Sequence, residues 1–215
     1  MNYYKYTYKN STFIISTLII LILIIFIPLK IESYIDVVVI LFSCIVHELI
    51  HGLGFKIFGK AKSENINYGI ALEKGIMYCT CKEEINKKGI LISMILPFLV
   101  LTVLLGTVGI ILDNHLMLIT ALYNLFGSSL DIFAFLDILK LPNNIKYKDL
   151  DDNFGFILIS NNLDNKKYIC LKLEEKGKYN NSIKALDYRK IVISKFSIIL
   201  LSLIIIIFIL KVIKW

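Results

Sequence analysis

Charge is scarce in this chain of 215 residues: Asp, Glu, Lys and Arg together make up 19% of it, against 57% hydrophobic residues and a mean hydropathy of +0.72. That shortage excludes a single water-soluble domain, which could not hide so much apolar surface, and it marks an integral membrane protein. Histidine is scarcer still, at three residues. The cysteines, Cys44, Cys79, Cys81 and Cys170, do not make a secreted disulfide framework. Cys79 and Cys81 amount to half a metal site at most, because no second Cys or His pair completes it, and they read as reduced thiols on one face of a strand. The net charge of +7 comes without the Arg/aromatic interleaving that stacks bases, so no nucleic-acid partner is expected. Internal repeats are absent, and so are a nucleotide-binding loop and paired interrupted helices in related halves, which weighs against a permease component.

What the chain does have is apolar length. Blocks at 12–29, 34–58, 89–112, 116–139 and 191–210 each suffice, at about 1.5 Å per residue, to cross about 30 Å of hydrocarbon. The expected fold class is therefore an all-α membrane protein with about five transmembrane helices, multi-pass in the cell membrane, surrounded by lipid bilayer. The first block follows a short basic leader, but its apolar run is too long for a signal peptide and no small-residue cleavage site follows, so it is expected to be an uncleaved anchor. Placing the N-terminus (Lys5, Lys9) in the cytoplasm puts the lysine-rich 59–88 loop and 140–190 segment there too. The two lysines of the C-terminal "KVIKW" dissent mildly.

The domain reading is a membrane core over 1–140, a small cytoplasmic segment over 141–190 and a last helix over 191–215. Within the 59–88 loop, Ile66 to Leu72 and Ile76 to Cys81 flank Glu73-Lys74-Gly75, as in a β-hairpin. The polar segment from Pro142 to Lys190 is too small to carry a large core and offers strands at Phe154 to Ser160 and Tyr168 to Leu173. Its "DLDDNFG" lacks the glycine of a calcium loop, Phe154 standing there, and reads as a solvated turn.

Against this apolar background "IVHELIHGLGF", Ile45 to Phe55, sets His47, Glu48 and His51 inside a membrane block. Ionisable residues there cost about 2.5–3.5 kcal/mol each even on lenient scales and mark function. Residues four apart on a helix share a face, so the two imidazoles can grip one metal ion, and Glu48 is held beside it as a base for the metal's water. A catalytic zinc needs a third protein ligand and an open position. Asp131 matches in depth: it and His51 each lie about 17 residues, or about 25 Å, from the outer end of their helices. Asn124, Ser128 and Asp131 form a polar stripe at i, i+4, i+7, with Gly127 allowing close approach. Asp137 is the reserve ligand, on another face, and His115 sits at the outer end of its helix. Asn124 is the candidate for orienting a substrate strand or its oxyanion, and Cys44 reads as a small packing residue.

"HELIHGLGFKIFG", "CKEEINKKGILISMILPF", "NLFGSSLDIFAFLDILKLP" and "DLDDNFGFIL" together resemble DUF3267, a family of membrane zincin peptidases, over roughly 47–158. The resemblance implies a zinc-dependent peptidase built on His47, Glu48, His51 and Asp131. More distantly the chain resembles the site-2 proteases, whose Leu-Asp-Gly signature it replaces with Leu130-Asp131-Ile132. The expected function is intramembrane zinc proteolysis: His47, His51 and Asp131 as ligands of Zn2+, Glu48 as general base, and a membrane protein or peptide as substrate. Alternatives are a non-catalytic zinc-binding accessory or immunity protein and a permease component. The hairpin edge is expected to pair with the unwound substrate.

Overall fold

The computed structural model describes residues 1–9, 11, 12, 14–16, 18, 22, 31, 33–71, 76–149, 155–161, 163 and 168–178. In the membrane region α1 (Tyr34–Ile57) starts at Ser33, whose main-chain N–H donates to Asp36 Oδ2 at 3.1 Å. Its amphipathicity is inverted. Val38, Leu41, Phe42, Ile45, Leu49 and Leu53 are exposed, whereas Ser43, His47 and His51 are buried. A helix that turns leucines outward and histidines inward has an apolar solvent outside, and the bilayer supplies one.

A second continuous rod combines α2 (Lys87–Pro97), a π-helical stretch (Phe98–Leu104) and α3 (Leu105–Ile111). Pro97 lacks the N–H that the α ladder needs, and the wider winding follows directly after it. Residues 34–57 and 87–111 are each long and apolar enough to cross a membrane. The next pair, α4 (His115–Gly127) and α5 (Ser129–Leu139), is bent by 51° at Ser128 and is a third span if counted as one.

The remaining elements are a 3-10 turn (Ser63–Asn65) and the strands β1 (Asn2–Tyr8), β2 (Ile66–Ala71), β3 (Ile76–Cys81), β4 (Ile85–Asn86), β5 (Lys146–Asp149), β6 (Gly155–Ser160) and β7 (Leu171–Lys178). β2 and β3 form the hairpin, with Tyr68 opposite Cys79. The others form one antiparallel sheet in the order β4-β5-β6-β1-β7. Its inner face joins Tyr4, Tyr6, Phe156, Leu158 and Leu171 to Phe55, Ile90, Met94, Ala134 and Ile138 from the helices in one core. Lys87, at the start of α2, donates from Nζ to the carbonyls of Leu139 (3.0 Å) and Leu141, closing the end of α5.

The all-α expectation with about five membrane helices is thus corrected: among the described residues two helices can span, with the bent pair as a third, and strands build two antiparallel sheets. The physical reason lies in β1. Residues that resemble a basic leader alternate as a strand, with Tyr4 and Tyr6 buried on the core face, and they pair with segments more than 140 residues away. The expected helix at 191–210 lies outside the described residues, and most of the one at 12–29 does too.

Candidate metal centre

Close approach of α1 and α2 comes first. A Cβ on Gly54 would sit 2.7 Å from Ser93 Cα, so only glycine lets the two backbones touch here. That contact brings the Ser93 main-chain oxygen within 2.8 Å of His51 Nδ1. One turn earlier, His47 Nδ1 lies 3.1 Å from Asn124 Oδ1 on α4, an oxygen that also accepts from Ser128 Oγ at 3.4 Å. Both Nδ1 partners are acceptors, so each Nδ1 carries the proton and each Nε2 keeps a bare lone pair.

Those lone pairs converge. The two Nε2 atoms are 3.0 Å apart, and Asp131 Oδ2, in the first turn of α5 beyond the bend, is 3.2 Å from His47 Nε2 and 3.4 Å from His51 Nε2. With both imidazoles neutral, three acceptors this close repel one another, and a cation among them, a shared proton or a metal ion, relieves that repulsion. Four-coordinate zinc with bonds of about 2.0–2.1 Å holds its ligand atoms about 3.3–3.4 Å apart, which the observed triangle fits closely. Three protein ligands leave a fourth position open, the pattern of catalytic sites. Among the described residues this is the group of His, Cys, Asp and Glu able to hold a metal ion.

Glu48 stays outside the triangle. It is half-buried on the flank of α1 that faces the hairpin, one turn before Gly52. Three contacts seat the hairpin there. Tyr68 lies over Gly52, so close that a Cβ on Gly52 would meet its Oη at 1.8 Å. The Cys81 N–H donates to Asp149 Oδ2 at 2.8 Å, and the other oxygen of Asp149 takes the Tyr147 hydroxyl. At the base, the Glu83 carboxylate accepts from Lys62 N (2.9 Å) and Asn65 Nδ2 (3.0 Å), which lowers its pKa below the ordinary glutamate value. Burial, then the neighbouring Glu48 charge, pushes the Cys79 thiol up, and burial raises Cys81 to about 11.

Of the residues singled out in the sequence, His47, His51 and Asp131 meet in one cluster, Glu48 lies beside it, and Asn124 sits behind His47 as the acceptor that fixes its ring. Asp137 is elsewhere. Fully buried, it accepts the N–H groups of Ile169 (2.8 Å), Cys170 (2.7 Å) and Leu171 (3.2 Å) and pairs with Lys140 at 2.9 Å, tying β7 to α5. His115 opens α4, far along that helix from Asn124, and Cys44 turns its Sγ to the Ile40 carbonyl at 3.5 Å. One participant is a main-chain group, the Ser93 carbonyl, which leaves no trace in residue identity. Gly52 does leave one, as a glycine directly after His51.

Residues 40–146 match the family model DUF3267, described as "Putative zincin peptidase". No curated protein and no solved structure matches the chain.

Proposed function

The chain belongs to the DUF3267 family of zincin peptidases, and from that premise we propose that it is a zinc-dependent intramembrane metallopeptidase acting on membrane-associated proteins or peptides. The observation that carries the reading is the triangle of bare acceptors formed by His47, His51 and Asp131, with both Nδ1 protons anchored outward. His47, His51 and Asp131 would hold the ion, which when bound supplies Lewis-acid activation of water and of the scissile carbonyl. Glu48 takes a proton from the attacking water and returns it to the departing amine, the role its position beside the ligands suits. Asn124 and the Ser93 carbonyl keep the imidazoles in the tautomer that presents Nε2. The histidines belong to a helix long and apolar enough to span a membrane, which supports reaction at membrane depth. A helical substrate hides its carbonyls in its own hydrogen bonds, so it must unwind before attack, and the edge of β3 beside Glu48 is the surface on which an extended segment can pair.

Metal analysis of the purified full-length chain tests the assignment. About one zinc per chain is expected for the parent, lost in His47→Ala and His51→Ala and weakened in Asp131→Ala. Equal zinc affinity in Asp131→Ala and the parent, with loss in Asp137→Ala, would overturn the ligand set.

A further inference from the structure

Hydroxyls in the membrane helices are satisfied within their own ladders. Ser93 donates to the Gly89 carbonyl at 2.8 Å, Thr107 to Val103 at 2.7 Å and Thr120 to Leu116 at 2.7 Å, each four residues back as α winding allows. Thr102 does not follow them. It lies in the π-helical stretch Phe98–Leu104, where the ladder closes five residues back and the carbonyl four back moves out of line. Its Oγ1 is shielded, and in the described helices it is the one such side-chain atom without a hydrogen-bond partner. The rod and α4 run antiparallel, since a Cβ on Gly106 would lie 3.3 Å from Ala121 Cβ and one on Gly109 3.0 Å from Met117 Cβ. Thr102 precedes Gly106 by four residues and so shares the face turned to α4, while Asn124 follows Ala121 by three, which sets the two at one level. Asn124 uses its Oδ1 for His47 and Ser128, so Nδ2 is the donor it has left at that level.

We propose that Thr102 and Asn124 hold a buried water between the rod and α4, and that this site supplies the water consumed at the metal cluster. A hydroxyl and an amide facing one seam give a water polar partners on two sides, without which an apolar cavity stays dry. From there the way to the cluster is polar. Asn124 reaches His47, and the wholly buried Ser128 lies between Asn124 and the first turn of α5, which carries Asp131. Each peptide bond cut consumes one water: its O–H joins the carbonyl carbon as the C–N bond breaks, and its other proton leaves on the amine. Helices long and apolar enough to span a membrane carry no water on their lipid side, so a route between them is needed. The π winding provides it by freeing one hydroxyl; in an α turn Thr102 would close on Phe98. The water site depends on the fold alone, whereas its use as a supply rests on the metallopeptidase reading.

The test uses the zinc-loaded full-length chain in lipid nanodiscs, with 13C-labelled threonine and magnetisation transferred from water to each threonine side chain. The Thr102 signal is identified by its loss in Thr102→Val. Transfer to Thr102 should be several-fold faster than to Thr107, whose hydroxyl is closed on Val103. Thr102→Val keeps the branched shape and removes the hydroxyl, so kcat for peptide hydrolysis should fall about tenfold, the effect of one lost hydrogen bond, at unchanged KM and zinc content. Thr102→Ser should restore it. A hydroxyl of purely structural effect predicts otherwise, because valine would relieve an unpaired group and leave hydrolysis as it was. Transfer to Thr102 as slow as to Thr107 refutes the water site. Fast transfer with parental kcat in Thr102→Val refutes the supply role. A hydrated Thr102 in a parent chain that binds zinc yet cleaves no peptide refutes the peptidase reading and leaves the water site standing.

Discussion

Replacing Asn124 with Leu removes the acceptor behind His47 at nearly constant volume. The His47 Nδ1 proton, 3.1 Å from Asn124 Oδ1 in a site where Asn124 is 4% exposed, then has two options. If it stays, a buried donor is left without a partner, at a cost of about 1–3 kcal/mol. If it moves to Nε2, the lone pair that faces Asp131 and His51 is lost and the ligand must be deprotonated again to bind a metal ion. Either route falls on the metal-loaded state, and loss of such an outer partner typically weakens a zinc site about 10- to 100-fold, or about 1.4–2.7 kcal/mol. Asn124→Asp keeps an acceptor in place and should retain affinity within that range of the parent. The assay is competition against a fluorescent zinc indicator in detergent, with helical content measured alongside. Zinc affinity of Asn124→Leu within twofold of the parent would refute the claim that Asn124 sets the His47 tautomer.

Two further outcomes follow from the hairpin. Gly52→Ala drives a methyl into the space of Tyr68 Oη, displacing the hairpin from α1, so peptide hydrolysis should fall about 10- to 100-fold at unchanged zinc content, and Tyr68→Ala in the same chain should restore part of it. Failure of the double variant to recover would sever Tyr68 from hairpin placement. The thiols give a pH readout: a raised pKa means less thiolate at a given pH, and with Cys81 moved from 9.0 to about 11 its alkylation by iodoacetamide at pH 8 should be about a hundredfold slower than that of a free cysteine. Alkylation of Cys81 at the free-cysteine rate would contradict its burial in the core.

The site was more legible than the fold. Two histidines four apart on an apolar helix have few readings, and equal depth on two helices points to Asp131, which the fold brings beside them, rather than Asp137. The hairpin was also readable, since Ile66–Ala71 and Ile76–Cys81 fall almost where alternation and Glu73-Lys74-Gly75 put them. The five-stranded sheet was not. Its central strand, Asn2–Tyr8, joins residues 155–160 and 171–178, and pairing at such separation has no local signature. Aromatic alternation in "NYYKYTY" was the available signal, masked by the lysines and the apolar run that follow it. The stripe of Asn124, Ser128 and Asp131 was drawn on a straight helix. The bend of 51° at Ser128 instead splits its members between the two helices, Asn124 behind His47 and Asp131 in front, so that one polar stripe supplies both a member of the His47–His51–Asp131 cluster and the partner that fixes His47. The role carried by the Ser93 main-chain carbonyl depends on helix contact and was beyond reach of residue type.

The central claim is that Glu48 does chemistry at a zinc held by its neighbours, and the measurement that meets it most directly is peptide hydrolysis per bound zinc in Glu48→Gln against the parent. Glutamine keeps the size of the side chain but cannot take a proton from water. Zinc content should match the parent, while cleavage of a reconstituted single-pass membrane substrate, found by comparing the membrane proteomes of cells carrying each form, falls about 10²- to 10⁴-fold. Equal cleavage per zinc in the two proteins, or a cellular phenotype that needs His47 and His51 but not Glu48, would contradict the account and leave a zinc-binding protein without catalysis.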